Sequence, residues 1–144
     1  MTISSFSGDY RFLSNFYQEP RRAMLTNEHF YQAAKALNVT DRATLMAAAT
    51  PAIAKTLGRS VTLRPDWDAI KETVMLDGLR AKFFADVTLA DMLLTTGDEI
   101  LIEGNRWGDT YWGVCNGHGL NRLGELLMEV REEVRLVHQA RFGG

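Results

Sequence analysis

Two stretches carry residue types that could do chemistry. The first is Asp109-Thr110-Tyr111-Trp112-Gly113, in a segment with five glycines from Gly104 to Gly119 and a second tryptophan, Trp107. Glycines let backbone approach a ligand closely and adopt positive φ. A tryptophan there offers a flat apolar face to a ring, and Asp109 beside it offers a proton or a charge. The combination suits a nucleobase-like ring joined to a sugar, or else a surface loop whose tryptophans plug the core. The second stretch is Glu28-His29-Phe30-Tyr31-Gln32-Ala33-Ala34-Lys35. As a helix it puts Glu28, Gln32 and Lys35 at i, i+4 and i+7 on one face, a carboxylate, an amide and an ammonium in a row. The alternative is a solvated polar face with one intrahelical pair.

Breaking an N-glycosidic bond builds positive charge at the anomeric carbon and negative charge on the departing base. Carboxylates can stabilise the cation, activate water or protonate the base. Glu28 and Asp109 are the one pair that fits an acid and a base. Lys35, if desolvated, could instead attack the sugar C1 and form a Schiff base. Gly58-Arg59, and Arg122 beside the Asn121 cap, are candidate phosphate clamps, or ordinary surface charges. Metal binding is not expected, because His29, His118 and His138 have no i,i+4 spacing and Cys115 stands alone. His118, between Gly117 and Gly119, either touches a ligand or is simply solvated.

Local patterning says which elements position these groups. Residues Ser7 to Thr26, with Tyr10, Phe12, Phe16, Tyr17 and Pro20, read as extended pieces or a hairpin. Asn27 can cap a helix running to about Leu37. Further helices are expected from Asp41 to Ala49, and from Thr50-Pro51 to a stop at Gly58. A long amphipathic helix should run from Trp67 to Phe84, and a short one capped by Thr88 from Leu89 to Leu94, closed by Gly97. Glu99 to Glu103 reads as a strand. A last helix should start near Asn121 with Leu123, Leu126, Leu127, Val130, Val134 and Val137 on one face. The fold class is therefore α+β, helix-rich, one domain over residues 1–144 with a small β-sheet. A Rossmann fold is excluded, since no G-x-G-x-x-G follows a strand.

Composition bounds the partners. The 144 residues carry a formal net charge of −2, with 46% hydrophobic and 24% charged residues. Binding long nucleic acid by counterion release needs clustered cations, and only short clusters such as Arg21-Arg22 occur. A small phosphate needs one or two arginines. The single cysteine excludes an internal disulfide and fits a reducing compartment. No apolar run approaches the roughly 20 residues of a membrane span, and the N-terminus has no signal-peptide pattern. A cytoplasmic enzyme is expected, acting on a small molecule without cofactor, metal or membrane; its oligomeric state is not legible.

Several segments together resemble one family. Phe12-Leu13-Ser14-Asn15-Phe16 is similar to an F-L-S-N-F motif, and Thr26 to Ala36 to a T-x-E-H-x-Y-Q-A-x-K motif. Gly58-Arg59 is similar to a G-R step, Trp67 with Lys71 and Val74-Met75 to W-x-x-x-K-x-x-V-M, and Leu79 with Lys82-Phe83 to L-x-x-K-F. Leu94-Thr95-Thr96-Gly97 with Glu103, Asp109-x-x-Trp112-Gly113, Gly119 to Gly124 and Leu127 to Arg131 resemble the closing motifs in order. The chain is thereby identified as a member of the YbiA-like, or NADAR, family over about residues 10–135, departing from its pattern at Val114-Cys115-Asn116.

The resemblance implies a YbiA-like fold and an N-glycosidase. Its substrates would be base–ribose phosphates of the early riboflavin pathway, or ADP-ribose attached to guanine, free or in nucleic acid. By position it implies that Glu28 and Asp109 are catalytic or substrate-orienting and that Lys35 is a possible covalent participant. It gives Asn15, Phe16, Gln32, Arg59, Trp112, Gly113 and Asn121 contacts to sugar, phosphate or base. A rival reading is a module that binds ADP-ribose or NAD derivatives without cleavage. A third, weaker one is an interaction protein that docks through the Leu123 to Val137 helix.

Overall fold

A computed structural model describes residues 1–18 and 25–142. The chain divides into two compact units, Asn15–Gly78 and the remainder, Met1–Ser14 with the segment from Leu79 onward.

The Asn15–Gly78 unit holds α1 (Asn27–Ala34), α2 (Val39–Met46), α3 (Pro51–Leu57) and most of α4 (Trp67–Phe84). α1 packs against α2 and α3. Thr26, not Asn27, caps α1. Its hydroxyl accepts from the His29 amide at 3.3 Å, and the Thr26 amide donates to His29 Nδ1 at 3.1 Å. This reciprocal box satisfies two otherwise orphaned donors. Since Nδ1 accepts, His29 Nε2 carries the proton and donates to the Ala48 carbonyl at 2.9 Å. The histidine is fully buried as a structural bolt.

α1 stops at Ala34, short of the expected Leu37, because the chain beyond it finds other partners. Ala36 bridges Leu63, the Leu37 amide donates to Thr62 and the Arg64 amide to Lys35. α2 starts earlier than expected, at Val39, because the Asn38 side chain caps the Asp41 amide. α3 begins as expected, with Thr50 capping Ile53 and Pro51 in the first turn. Trp67 is buried and meets Tyr31 edge-on at 5.1 Å. Ala33, Ala36 and Leu45 form a small core with Met46 and Val61 against it.

The other unit corrects several expectations. Residues Gly8–Leu13 form a 3-10 helix where extended chain was expected. Gly8 opens it at φ +58°, and Phe12 and Leu13 are buried together with no period-2 alternation. Residues 19–24, with Pro20 and Arg21-Arg22, lie outside the described residues. The strand expected over Glu99–Glu103 shortens to β2 (Ile100–Leu101), paired in parallel with an unanticipated β1 (Thr2–Ile3). β3 (Gly104–Asn105) and β4 (Val114–Cys115) form a second parallel pair. α5 (Val87–Thr95) is capped by Asp86 rather than Thr88, because Asp86 Oδ1 reaches the Leu89 amide at 3.2 Å. α6 (Arg122–Phe142) buries Leu123, Leu126, Leu127, Val130 and Val134, while Val137 is exposed. α6 packs on α5 and β2. Its apolar stripe is core, which removes the docking-face reading for those five residues.

Candidate active site

In the Asn15–Gly78 unit, α1 delivers Glu28, Gln32 and Lys35. Glu28 sits in the first helical turn, where the helix dipole favours a carboxylate. Its amide donates to the Asn15 carbonyl at 3.0 Å, and Asn15 Oδ1 accepts from Asn27 Nδ2 at 2.8 Å. Asn15 therefore ties the entering chain to the start of α1. Glu28 is only 7% exposed, and its Oε1 accepts from Gln32 Nε2 at 2.7 Å. That donation fixes which way the Gln32 amide points. Gln32 Oε1 is buried and accepts no hydrogen bond from the described residues.

Lys35 follows at the C-cap of α1, half-buried. Desolvation holds its pKa below the ordinary lysine value; Glu28 opposes the shift, and Arg59 and Lys55 add to it. Lys55 Nζ lies 5.8 Å from the centre of the Phe16 ring. Six residues expected at the site (Asn15, Phe16, Glu28, Gln32, Lys35 and Arg59) thus belong to one unit. Lys55 joins them without warning in the sequence, where it is an unremarked lysine in a seven-residue helix. Lys35 thus feels one buried carboxylate and two further cations, a charge set that suits a phosphorylated sugar.

In the other unit Asp109 shapes its own loop. Its Oδ1 accepts from the Tyr111 amide at 3.1 Å and the Trp112 amide at 2.9 Å. Asn105 braces the same loop, accepting from the Asp109 amide at 3.0 Å and donating to its carbonyl at 2.8 Å. Trp112 is half-buried and meets Tyr111 edge-on at 4.9 Å. Gly113 is buried, and a Cβ there would overlap the Glu103 carbonyl. Asn121 adopts φ +54°, accepts from the Glu103 amide at 2.9 Å and donates to the Leu101 carbonyl at 2.8 Å. Both ends of that amide therefore hold backbone. Arg122 pairs with Glu125, and His118 is exposed. Among the described residues no three of His, Cys, Asp and Glu gather as a metal site.

A carboxylate, a desolvated amine and two further cations on a helix-rich α+β scaffold are groups that can do acid–base or imine chemistry. The chain matches the NADAR domain over residues 4–135, and it belongs to that family. It is 46% identical over 116 residues to an N-glycosidase of Nostoc punctiforme, covering 76% of this chain and 74% of that one. It is 40% identical over 139 residues to the Escherichia coli N-glycosidase YbiA, covering 92% and 86%. The NMR structure of the E. coli protein superposes with a TM-score of 0.81 over 95% of this chain and 85% of that one, at 38% identity. A Vibrio vulnificus protein named for riboflavin biosynthesis is 38% identical over 134 residues, which are 88% of this chain and 36% of that longer one.

Proposed function

We propose that this chain hydrolyses the bond between a pyrimidine-like base and a ribose phosphate, through an imine on Lys35. The chain is an N-glycosidase by class; the substrate and the residue roles are our reading. The observation that carries it is the pairing of a desolvated Lys35 with a buried, oriented Glu28. An amine held below its ordinary pKa is populated as the free base at lower pH than a solvated lysine.

The steps balance without a cofactor. The Lys35 amine adds to sugar C1 as the C1–N bond breaks, and the base leaves with the electron pair and takes up a proton. Nζ gives up two protons by way of Glu28, one taken up by the departing base and one by the ring oxygen as the sugar opens, leaving a neutral C1–Nζ imine. Water then adds to C1, the C1–Nζ bond breaks, and ribose phosphate departs with the amine restored. Arg59 and Lys55 receive the phosphate, with Phe16 beside Lys55, while Asn15 holds the Glu28 end at the start of α1. Within the other unit, Asp109 sets the shape of the loop that carries Trp112 and Gly113.

A small metabolite is favoured over ADP-ribosylated guanine by the riboflavin-biosynthesis name of the Vibrio relative, and by a net charge of −2, which gives no general attraction to nucleic acid. A cytoplasmic setting fits such a substrate, and no helix among the described residues is long and apolar enough to cross a membrane. Borohydride added during turnover of the aminopyrimidine ribosylamine phosphate should fix a ribityl phosphate adduct on Lys35, read by mass spectrometry. Its yield should rise with pH through the lowered Lys35 pKa. Base release with no adduct at Lys35 would replace the imine by direct attack of Glu28-activated water.

A further inference from the structure

We propose that Gln32 Oε1 is the acceptor that reads the sugar hydroxyl next to the reacting carbon, and that Gly58 is the positioning residue that holds it there. The inference deepens the N-glycosidase reading and rests on it. Gln32 is 4% exposed, so its amide is removed from water. Its Nε2 is committed to Glu28 at 2.7 Å, which leaves Oε1 as the end that must accept. Among the described residues nothing donates to it. A buried acceptor without a donor is destabilising, so such a group persists where a ligand completes it.

Placement selects the donor. Gln32 stands one helical turn after Glu28 and one before Lys35, so the group it reads lies between the carboxylate and the amine. With C1 at Lys35, the nearest sugar donor is the 2-hydroxyl. That hydroxyl becomes more acidic as charge builds at C1, and its hydrogen bond strengthens in the transition state.

Gly58 explains how the amide is kept in place. A Cβ at this position would overlap Gln32 Oε1 and come within 3.0 Å of Lys35 Cε. The backbone does not require glycine, because φ is −60° and ψ −19°. Alanine therefore fits the backbone there and must displace the Gln32 amide, with Lys35 Cε at the limit of contact. The G-R step has a physical reason in that contact.

Gly58→Ala and Gln32→Met, with folding checked by circular dichroism, are compared on the ribosyl substrate and its 2-deoxyribosyl analogue. Each variant should lose about 10- to 100-fold in kcat/KM on the ribosyl substrate and at most about threefold on the deoxy one, since the deleted hydroxyl and the lost acceptor are one interaction. Equal losses on both substrates would overturn the assignment; they would mean that Gly58→Ala acts by shifting Lys35. Calorimetry with ribose 5-phosphate and 2-deoxyribose 5-phosphate keeps the test independent of turnover. The wild type should prefer the ribose sugar and Gly58→Ala should not. That preference in a wild type that releases no base would refute the N-glycosidase reading but support this one. Absence of the preference, or its survival in Gly58→Ala, would overturn this one.

Discussion

Residue identity alone does not separate a carboxylate that reacts from one that builds. Glu28 and Asp109 are the same functional group, held by different partners. Glu28 is buried beside a side-chain amide and within charge range of Lys35. Asp109 spends one oxygen on the amides of Tyr111 and Trp112, as an Asx turn does. An asparagine offers the same acceptor, so Asp109→Asn should keep most of the activity. Asp109→Ala should lose the turn and about 1 kcal/mol of stability. Steady-state rates and thermal melts of both variants check this. An Asp109→Asn enzyme as impaired as Asp109→Ala would instead support Asp109 as a proton donor.

At the scale of elements, α4 carries a feature that local patterning does not reveal. Lys82 Nζ donates to the Ser14 carbonyl at 2.9 Å and lies 5.0 Å from the Phe83 ring centre. Burial pushes its pKa down from 10.5 to about 7. The unfolded chain thus binds more protons than the native one between about 7 and 10.5, and stability rises with pH across that window. Below it both states are protonated and the penalty is fully present. Lys82→Met should flatten the rise, measured by denaturant titration at pH 7 and pH 10; an unchanged slope would contradict it. The long periodic helices were legible from sequence: α4 has the expected limits Trp67–Phe84 and α6 begins one residue from its expected start. The two-residue strands β1, β3 and β4 were not, since so short a pair has no period to detect. The Glu28–Gln32–Lys35 face was legible because helical spacing is local. The fit of Gln32 over Gly58, and Lys55 beside Phe16, were not, because each joins residues from separate elements. Caps slipped by one or two residues, Thr26 for Asn27 and Asp86 for Thr88, because neighbouring side chains compete for the same amides.

For the whole molecule, family membership extends over both compact units, from residue 4 to residue 135. The acidic net balance confines positive charge to local groups, of which Lys35, Lys55 and Arg59 are one. Such a chain is suited to a small phosphorylated substrate and gains nothing from a polymer's counterion release. We attribute cleavage of a base–ribose phosphate to Glu28 and Lys35. Base release is therefore the measurement to make, by chromatography on the aminopyrimidine ribosylamine phosphate and, separately, on ADP-ribosylated guanosine. We expect the first to be cleaved by the wild type, and Glu28→Gln, which keeps an acceptor for Gln32 and hence the fold, to be slowed by about a thousandfold. Cleavage of ADP-ribosylated guanosine alone, or a fully active Glu28→Gln, would contradict it.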